Sequence, residues 1–587
     1  MGEAAIKPLP QSEPGTTSNK PDDAIAIVGM SFRLPQGIGS PEQFWDLLSA
    51  GADTLTGKPP EHFLGQLPLK HSALEDVPMF DTSFFKIDAE TASYLDPQLR
   101  LLIECAWEAI SNAGENFELL RGSRTGVFCG INDGEYFREA HARGIQFPPK
   151  QVLESKLDGM ASRLAYTFKL TGPAMCIDTA CSSGLVALHT ACQNLRAGTA
   201  TAAIVGGVRC IFGDSGQLLF GDSSLFSKSG TCRSFDADSD GFIRAEACGV
   251  LYLKPLDAAK RDGNPILGLV RGTGLSQSGD TGIMSPSITA QIQAINQALH
   301  SSGVKPGDVN YIEAHGTATP MGDAIEIEAL QEAYGRSHQP DHPLLVGSVK
   351  ANLGHSEWAS GIISIIKVLL MMQKGQIPRL AHFKTAHPFI DLSAGLIKFP
   401  QEVLPWESPR PGGLLAGVSA NGMTGSAAHA ILEQYRAEAH QQQPRAPHPL
   451  PFVLSAASLP ILIEYAKRHL EFLRRTDRPH DFRSLCFTSC MGRPHYAYRL
   501  AVVANDIASL SRGLQQCLGS ESRLVAQPED LNQGTALALA TEFMRGDQPK
   551  WEEAFPGLDW QRVALPPYPL EKKLIWIFSS SGRPKAA

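Results

Sequence analysis

Paired cysteines are missing from this chain. Its 11 cysteines are scattered without a C-x-x-C, and the C-x-x-x-C of Cys486 and Cys490 has no second pair or histidine partner. That spacing argues against zinc and against a disulfide framework, so the thiols are read as reduced, in a cytoplasmic protein. A span long enough to cross a bilayer is also missing: the most apolar run, IISIIKVLLMM from Ile362, is short and carries Lys367. No basic block occurs and the formal net charge is −8, which disfavours a nucleic-acid or anionic-membrane surface. Residues 1–22 are polar and proline-rich, without the apolar core of a signal peptide, and are read as a flexible leader. No internal repeat is visible.

What is present is ordinary globular material, and 587 residues exceed one compact core, so two or more domains are expected. Short apolar runs closed by glycine, AIAIVGM and TGVFCGI, predict strands, and DPQLRLLIECAWEAISNAG between them has helical spacing. AAIVGGV, GVLYLKPL, VNYIEAHG, LLVGSVKANLG and GIISIIKVLLMMQKG continue the alternation to about Glu433, predicting an α/β domain on buried sheets. A Gln/Pro-rich stretch, RAEAHQQQPRAPHPLP, follows as a linker. PFVLSAAS, LPILIEYAKRHLEFLRRT, YRLAVVAND and IASLSRGLQQCLG then predict a small α/β unit. The prolines of VALPPYPLEKKLIWIF forbid helix, and its aromatics require a surface to lie on.

Chemistry concentrates in IDTACSSGLVALHTACQNL, where Cys181 stands at the start of a predicted helix. Leu185, Val186, Leu188, Ala191, Cys192 and Leu195 leave that helix apolar nearly all round, so it is expected to be buried. A lone cysteine is ordinarily core packing. Ser182 and Ser183 are rival nucleophiles, although neither stands in a G-x-S-x-G frame. Alternatively, the first amides and the helix dipole stabilise a thiolate and the oxyanion of an attacked thioester. The small neighbours Ala180, Ser182, Ser183 and Gly184 let a substrate approach closely.

Two histidines shift the balance toward catalysis. In YIEAHGTATPMGDAIEIEALQEAYG a strand is predicted to end at His315, with a helix from Asp323 to Gly335. In VGSVKANLGHSEWASG another strand runs into Lys350, and a turn brings His355. Histidines at strand ends, followed by small residues, are where an α/β fold presents catalytic groups. DADSDG from Asp236 opens like a calcium loop, but its twelfth position falls on Ala247, so a structural turn is expected. GHSEW approaches an acyltransferase elbow, but Trp358 stands where that motif needs glycine. His189, inside the Cys181 helix, is read as a packed core histidine.

DTACSSG, EAHGTATPMGD and SVKANLGH, in this order, resemble the three signature blocks of β-ketoacyl synthases. IAIVGMSFRLP, DPQLRLLIECAWEAI and CRSFDADSDGFIRAEACGVLYLK narrow the resemblance to ketosynthase domains of modular polyketide synthases, most like those of trans-acyltransferase assembly lines. The resemblance implies a thiolase-type five-layered α-β-α-β-α fold, a homodimer, and no bound metal or cofactor. Substrates would arrive on the phosphopantetheine of acyl carrier protein domains, with malonyl units supplied by a free-standing acyltransferase. It implies Cys181 as acyl acceptor, His315 and His355 in decarboxylation and condensation, and Lys350 as support for the histidines. Thr317 and Thr319 would contact the pantetheine arm, and Met423 would offer its backbone N–H to the acyl oxyanion. A soft, low-pKa thiolate suits a thioester intermediate, and two neutral histidines can stabilise an enolate without a metal.

On that resemblance the chain divides into a leader (1–22), a ketosynthase domain (23–436) and a linker (437–450). An α/β ketosynthase-to-acyltransferase linker domain (451–525), a segment wrapping back onto the ketosynthase (526–578) and a tail (579–587) follow. Too little chain lies between the last two units for an acyltransferase, and no carrier domain is seen. GVSANGMTGSAAHAILE departs from the family's G-V-S-S-F-G-F-G-G-T-N-A-H: Asn421 and Met423 replace two phenylalanines, Thr424 a glycine and Ala427 an asparagine. Ala318 replaces the middle glycine of H-G-T-G-T, and Ala245 the glycine before Glu246. Asn421 and Met423 therefore form an altered gate, read either as drift or as fitting an unusual acyl chain or a β-branching reaction. A non-elongating, chain-passing ketosynthase and a silent scaffold are the rivals. Both are expected to lose residues of the kind retained here as His315 and Cys181.

Overall fold

The computed structural model describes residues 23–578 apart from 56–59, 66–70, 133, 217–224, 280–281, 283–284, 409–411, 438–447, 475–480, 520–524, 527–533 and 557–559. The leader, the tail and most of the Gln/Pro-rich linker lie outside the described residues. One eleven-stranded sheet organises the described chain from Ile25 to Glu433. Its first strands are β1 (Ile25–Arg33), β2 (Thr125–Gly130), β3 (Ala174–Ile177), β4 (Ala202–Arg209) and β5 (Ala247–Pro255). The rest are β6 (Gly268–Gln277), β7 (Tyr311–Glu313), β8 (Leu344–Gly347), β9 (Ile397–Lys398), β10 (Leu415–Asn421) and β11 (Ser426–Glu433).

Across the sheet the order is β9-β8-β7-β10-β11-β6-β1-β5-β4-β2-β3. β1 and β5 pair antiparallel, as do β5 and β4, while β4, β2 and β3 run parallel. The second half repeats this: β6 and β11 antiparallel, β11 and β10 antiparallel, then β10, β7 and β8 parallel. The halves join where Ile25, Ala26 and Ile27 face Val270, Leu269 and Gly268. The chain therefore contains a repeat after all, in topology rather than in residues. A strand buried on both faces asks only for apolar side chains, so its identities drift while its pairing persists.

Helices complete the layers. α1 (Pro97–Asn112) packs on β1 and β5, and α2 (Leu157–Phe168) on β2 and β3. On the other half α4 (Ile288–Ser302) packs on β6 and β11, with α5 (Pro320–Ala333) beside it. Between the halves lie α3 (Ser183–Arg196) and α6 (Ser360–Lys374), which touch each other and strands of both halves. The expected α-β-α-β-α layering is present. The apolar run from Ile362 is the buried middle-layer helix α6, and among the described residues no helix is long and apolar enough to cross a membrane.

A smaller unit follows, built of β12 (Leu450–Ala456), α7 (Leu459–Leu473), α8 (Phe482–Met491), β13 (Tyr498–Ala504), α9 (Ile507–Leu518) and α10 (Thr535–Arg545). Sequence periodicity predicts four of these but neither α8 nor α10. α8 is buried from Phe482 to Cys490 and carries serines and threonine throughout, so it has no amphipathic period. α10 begins Thr-Ala-Leu-Ala-Leu-Ala, which alternates like a strand. Beyond it the proline-rich segment lies against both units. Tyr568 Oη accepts from Ala457 N (3.0 Å), Lys572 pairs with the buried Glu104 (2.6 Å), and Arg100 donates to Ile575 O (2.5 Å). Lys573 and Leu574 add a short antiparallel pairing with Phe80 and Met79.

Candidate active site

Between β3 and α3 the chain turns through Ala180, whose φ of +53° is left-handed for a residue with a side chain. Local bonds hold this strain. Ala180 N donates to Asp178 Oδ1 (3.0 Å), Ser183 Oγ donates to Ala180 O (2.6 Å), and Thr179 N donates to Ser183 Oγ (2.8 Å). Cys181 thus sits just outside α3, before the N-cap Ser182, half-buried on a cavity of about 420 Å³. The helix behind it is not apolar all round, because His189, Thr190 and Asn194 are half-buried and Gln193 is exposed. His189 lies on that polar face rather than in the core, its ring bonded to Thr273 Oγ1 (2.8 Å).

The expected low-pKa thiolate is not found. Burial pushes the Cys181 thiol up to about 12 and the Glu357 carboxylate adds to the rise, outweighing the Lys350 ammonium and the cysteine's own N–H. A thiol of that kind is protonated at pH 7, and its thiolate fraction grows about tenfold per pH unit below the pKa. Iodoacetamide alkylation of Cys181, followed by peptide mass, should therefore accelerate about tenfold per unit from pH 7 to 9. A plateau below pH 8 would mean a resting thiolate.

β7 stops at Glu313, two residues before His315, and α5 starts at Pro320 rather than Asp323, which is buried in its first turn. Likewise β8 stops at Gly347. Lys350 opens a one-turn helix (Lys350–Leu353), and Gly354, at φ +80°, turns the chain into His355. The two imidazoles lie edge to face with centroids 5.4 Å apart. Glu357 N–H donates to His355 Nδ1 (3.1 Å), which fixes the tautomer with the proton on Nε2. Among the described residues Nε2 itself is buried without a partner, as is Nδ1 of His315. Burial first, then the Lys350 ammonium, holds both imidazoles well below their usual range, so both are neutral at pH 7. Lys350 stands behind the cavity wall, fully buried; burial lowers its pKa against the pull of Glu313 and Glu326.

Two buried carboxylates unsuspected from sequence position these loops. Glu326 accepts from the N–H groups of His315 (2.7 Å) and Gly316 (2.8 Å). Glu313 accepts from Val349 N (2.6 Å), Lys367 Nζ (2.6 Å) and Tyr311 Oη (2.7 Å). Breaking such a buried pair typically costs about 3–5 kcal/mol. The signal for it was Lys367 itself, a charge inside an apolar run that only a buried partner can accommodate.

The remaining candidates close the cavity. Thr317 and Thr319 hydroxyls are 3.1 Å apart on its wall. Ala318 between them has φ +58°, where a side chain costs roughly 1–2 kcal/mol and glycine would not. Asn421 ends β10 opposite Ala427, and Met423 is exposed at the tip of the hairpin; both line the cavity. Gly422 between them lies so close to the cysteine turn that a Cβ would sit 2.4 Å from Thr179 O and 2.2 Å from Ser426 Oγ. Ser426 Oγ and Ser182 Oγ are 2.7 Å apart, tying hairpin to turn. Cys181, His315, His355, Thr317, Thr319, Asn421 and Met423 thus share one cavity, together with the unforeseen Arg209, Arg244, Glu135, Glu357 and Trp358.

Asp236 serves a turn: its Oδ2 accepts from Lys384 N (2.6 Å) and Thr385 N (3.1 Å). Among the described residues no group of three or more His, Cys, Asp or Glu side chains is arranged to hold a metal ion.

Comparison with known proteins gives a consistent picture. The family model "beta-ketoacyl synthase, N-terminal domain" matches residues 22–259, and its C-terminal counterpart matches 267–384. A RhiE-like KS-MAT linker domain matches 453–521. Erythronolide synthase EryA2 of Saccharopolyspora erythraea is 38% identical over 507 residues, 83% of this chain but 14% of its own length. Polyketide synthase GfsA of Streptomyces halstedii is 37% identical over 516 residues, 84% of this chain and 7% of its own. The chain therefore spans a small part of these curated relatives. Among solved structures, an oxazolomycin ketosynthase domain from Streptomyces albus superposes with a TM-score of 0.84 at 31% identity, covering 96% of this chain and 100% of that one. The ketosynthase from module 6 of the bacillaene synthase of Bacillus subtilis gives 0.82 at 29% identity, covering 94% and 100%.

Proposed function

Because this chain belongs to the β-ketoacyl synthase family, as a ketosynthase of the polyketide synthase kind, we propose that it extends an acyl chain on Cys181 by decarboxylative condensation with a malonyl thioester. The observation that carries this reading is the convergence of Cys181, His315 and His355 on one cavity. The Cys181 thiol attacks the incoming acyl thioester, and its proton leaves with the departing carrier thiol, so no net charge accumulates. The malonyl thioester then loses CO₂. The electrons of the broken C–C bond form an enolate, whose oxygen accepts from the fixed Nε2–H of His355, with His315 as second donor. The enolate carbon attacks the acyl carbonyl. The tetrahedral oxyanion, met by the N–H groups of Cys181 and Met423, collapses and expels the cysteine thiolate, which takes one proton from solvent to restore the thiol.

Partners follow from the same reading: acyl carrier protein domains deliver both thioesters on phosphopantetheine, with Thr317 and Thr319 on the arm's path. A free-standing acyltransferase fits the short chain between the linker match, ending at 521, and Arg562, which already donates to Gly114 O. A homodimer fits the free edge of the sheet, where Met175 on β3 and Tyr166 on α2 are 42% and 75% exposed. A second reading, conjugate addition to an unsaturated thioester, is favoured by one feature, the amide of Asn421 at the cavity gate. Incubating the protein with an acyl thioester and ¹³C-malonyl carrier protein tests the main reading. The expected product is a β-ketoacyl carrier protein two carbons longer, with one CO₂ released per turnover. Transfer of the acyl group without a new C–C bond would favour a chain-passing enzyme.

A further inference from the structure

One wall of the cavity that holds Cys181 carries a buried chain of ion pairs. Glu135, Arg209 and Arg244 are each less than 5% exposed. Glu135 pairs with Arg209 (3.3 Å), Arg209 Nε with Glu357 (2.8 Å), and Glu357 in turn with Arg244 Nε (2.7 Å). Ser215 Oγ also donates to Glu135 (2.6 Å). The Arg209 guanidinium lies 5.1 Å from the centre of the Trp358 ring, whose N–H donates to Asp178 (2.7 Å). Among these four ion-paired side chains two positive and two negative charges balance, Arg138 and Asp178 on the same cavity add one of each sign, and both paired carboxylates are occupied.

Arg209 Nε and Nη1 meet their carboxylates as ion pairs, whereas one buried donor of this wall has neither an ion-pair contact nor a hydrogen bond among the described residues. Nη1 of Arg244 is buried and has no hydrogen-bond partner among the described residues, although Nε and Nη2 both reach Glu357. It lies beside Gly216, another wall residue, where a Cβ would come within 2.4 Å of it. A buried guanidinium nitrogen without an acceptor is costly, and both Arg244 and Gly216 line the acyl cavity. We propose that Arg244 Nη1 donates to an oxygen of the acyl chain carried on Cys181, so that the preferred substrates are chains bearing a hydroxyl or keto group. The acceptor is a neutral oxygen, because a carboxylate would add an unpaired charge to a wall that is already balanced. Arg244 is a specificity-determining residue in this scheme. The proposal rests on the ketosynthase reading, since the chain meets this wall only after acylating Cys181.

The test uses the full chain and N-acetylcysteamine thioesters of hexanoic, 3-hydroxyhexanoic, 5-hydroxyhexanoic and 5-oxohexanoic acids. Acylation of Cys181 is followed by intact-protein mass. At least one oxygenated chain should load about tenfold faster than hexanoyl. Arg244→Lys keeps the charge against Glu357 but loses the fork, and should reduce that ratio to within about threefold while hexanoyl still loads. Gly216→Ala, which places a methyl group at Nη1, should reduce it similarly and serves where Arg244→Lys does not fold. Equal loading of all four chains by the parent overturns the proposal. So does a preference that survives both variants, or one that only Asn421→Phe with Met423→Phe abolishes, which would make the gate the reader. A parent that loads none of the four on Cys181 refutes the ketosynthase reading itself, a separate outcome.

Discussion

A Cys181→Ala protein should gain no acyl mass from any thioester, and condensation should fall by roughly 10⁴-fold or more, the scale on which a covalent nucleophile matters. No other cysteine can substitute. Nine are buried in the cores, and Cys176, half-buried on β3, does not line the cavity. The substitution is sterically mild, since Cys181 lies outside α3 and its turn is held by Asp178, Thr179 and Ser183 rather than by the thiol. Release of CO₂ from malonyl carrier protein should persist in this variant, because the histidine donors are untouched. Acyl mass on the Cys181→Ala chain would mean that another group accepts the substrate.

Removing His355 should give the opposite pattern. His355→Ala should still acylate Cys181, because the loading step exchanges one thiol for another and uses neither ring. Decarboxylation and condensation should drop about 10²–10³-fold, the usual loss for one pre-aligned donor to a developing oxyanion. The Nε2–H of His355 is pre-aligned in a specific sense: Glu357 N–H occupies Nδ1, and Glu357 is itself held at φ +46° with its carboxylate bonded to Arg244. His315→Ala should behave alike, since its ring faces His355 over the same cavity. Because both imidazoles are held well below the usual range, the parent's rate should show no inflection near pH 6.5. Comparing single-turnover loading with CO₂ release checks both points. Parent-like CO₂ release by His355→Ala would remove that residue from the mechanism.

The parts of this site legible in the sequence were those fixed by local chain geometry. A helix start after a strand, and histidines just past strand ends, bring Cys181, His315 and His355 to one cavity because loops at strand ends converge in an α/β sheet. What escaped was whatever depends on long-range partners. Glu313 and Lys367 meet across 54 positions, and Arg209, at the end of β4, meets Glu357 from far away along the chain. The thiol's high pKa escaped for the same reason. A helix terminus argues for a thiolate locally, but burial and the distant Glu357 decide the outcome. The duplicated topology left no trace either, because its buried strands share only apolar character. Ala318 is the converse: the sequence marked it as a departure, and its left-handed φ supplies the reason glycine belongs there.

The most direct test of the central claim is a two-stage mass measurement on the intact parent protein. After incubation with an acyl thioester, proteolysis should place the acyl group on the peptide containing Cys181 and nowhere else. Malonyl carrier protein is then added. The acyl mass should leave Cys181 and appear on the carrier as a β-ketoacyl group two carbons longer, with stoichiometric CO₂. An acyl group that stays on Cys181, or that moves to the carrier unextended, would contradict the account.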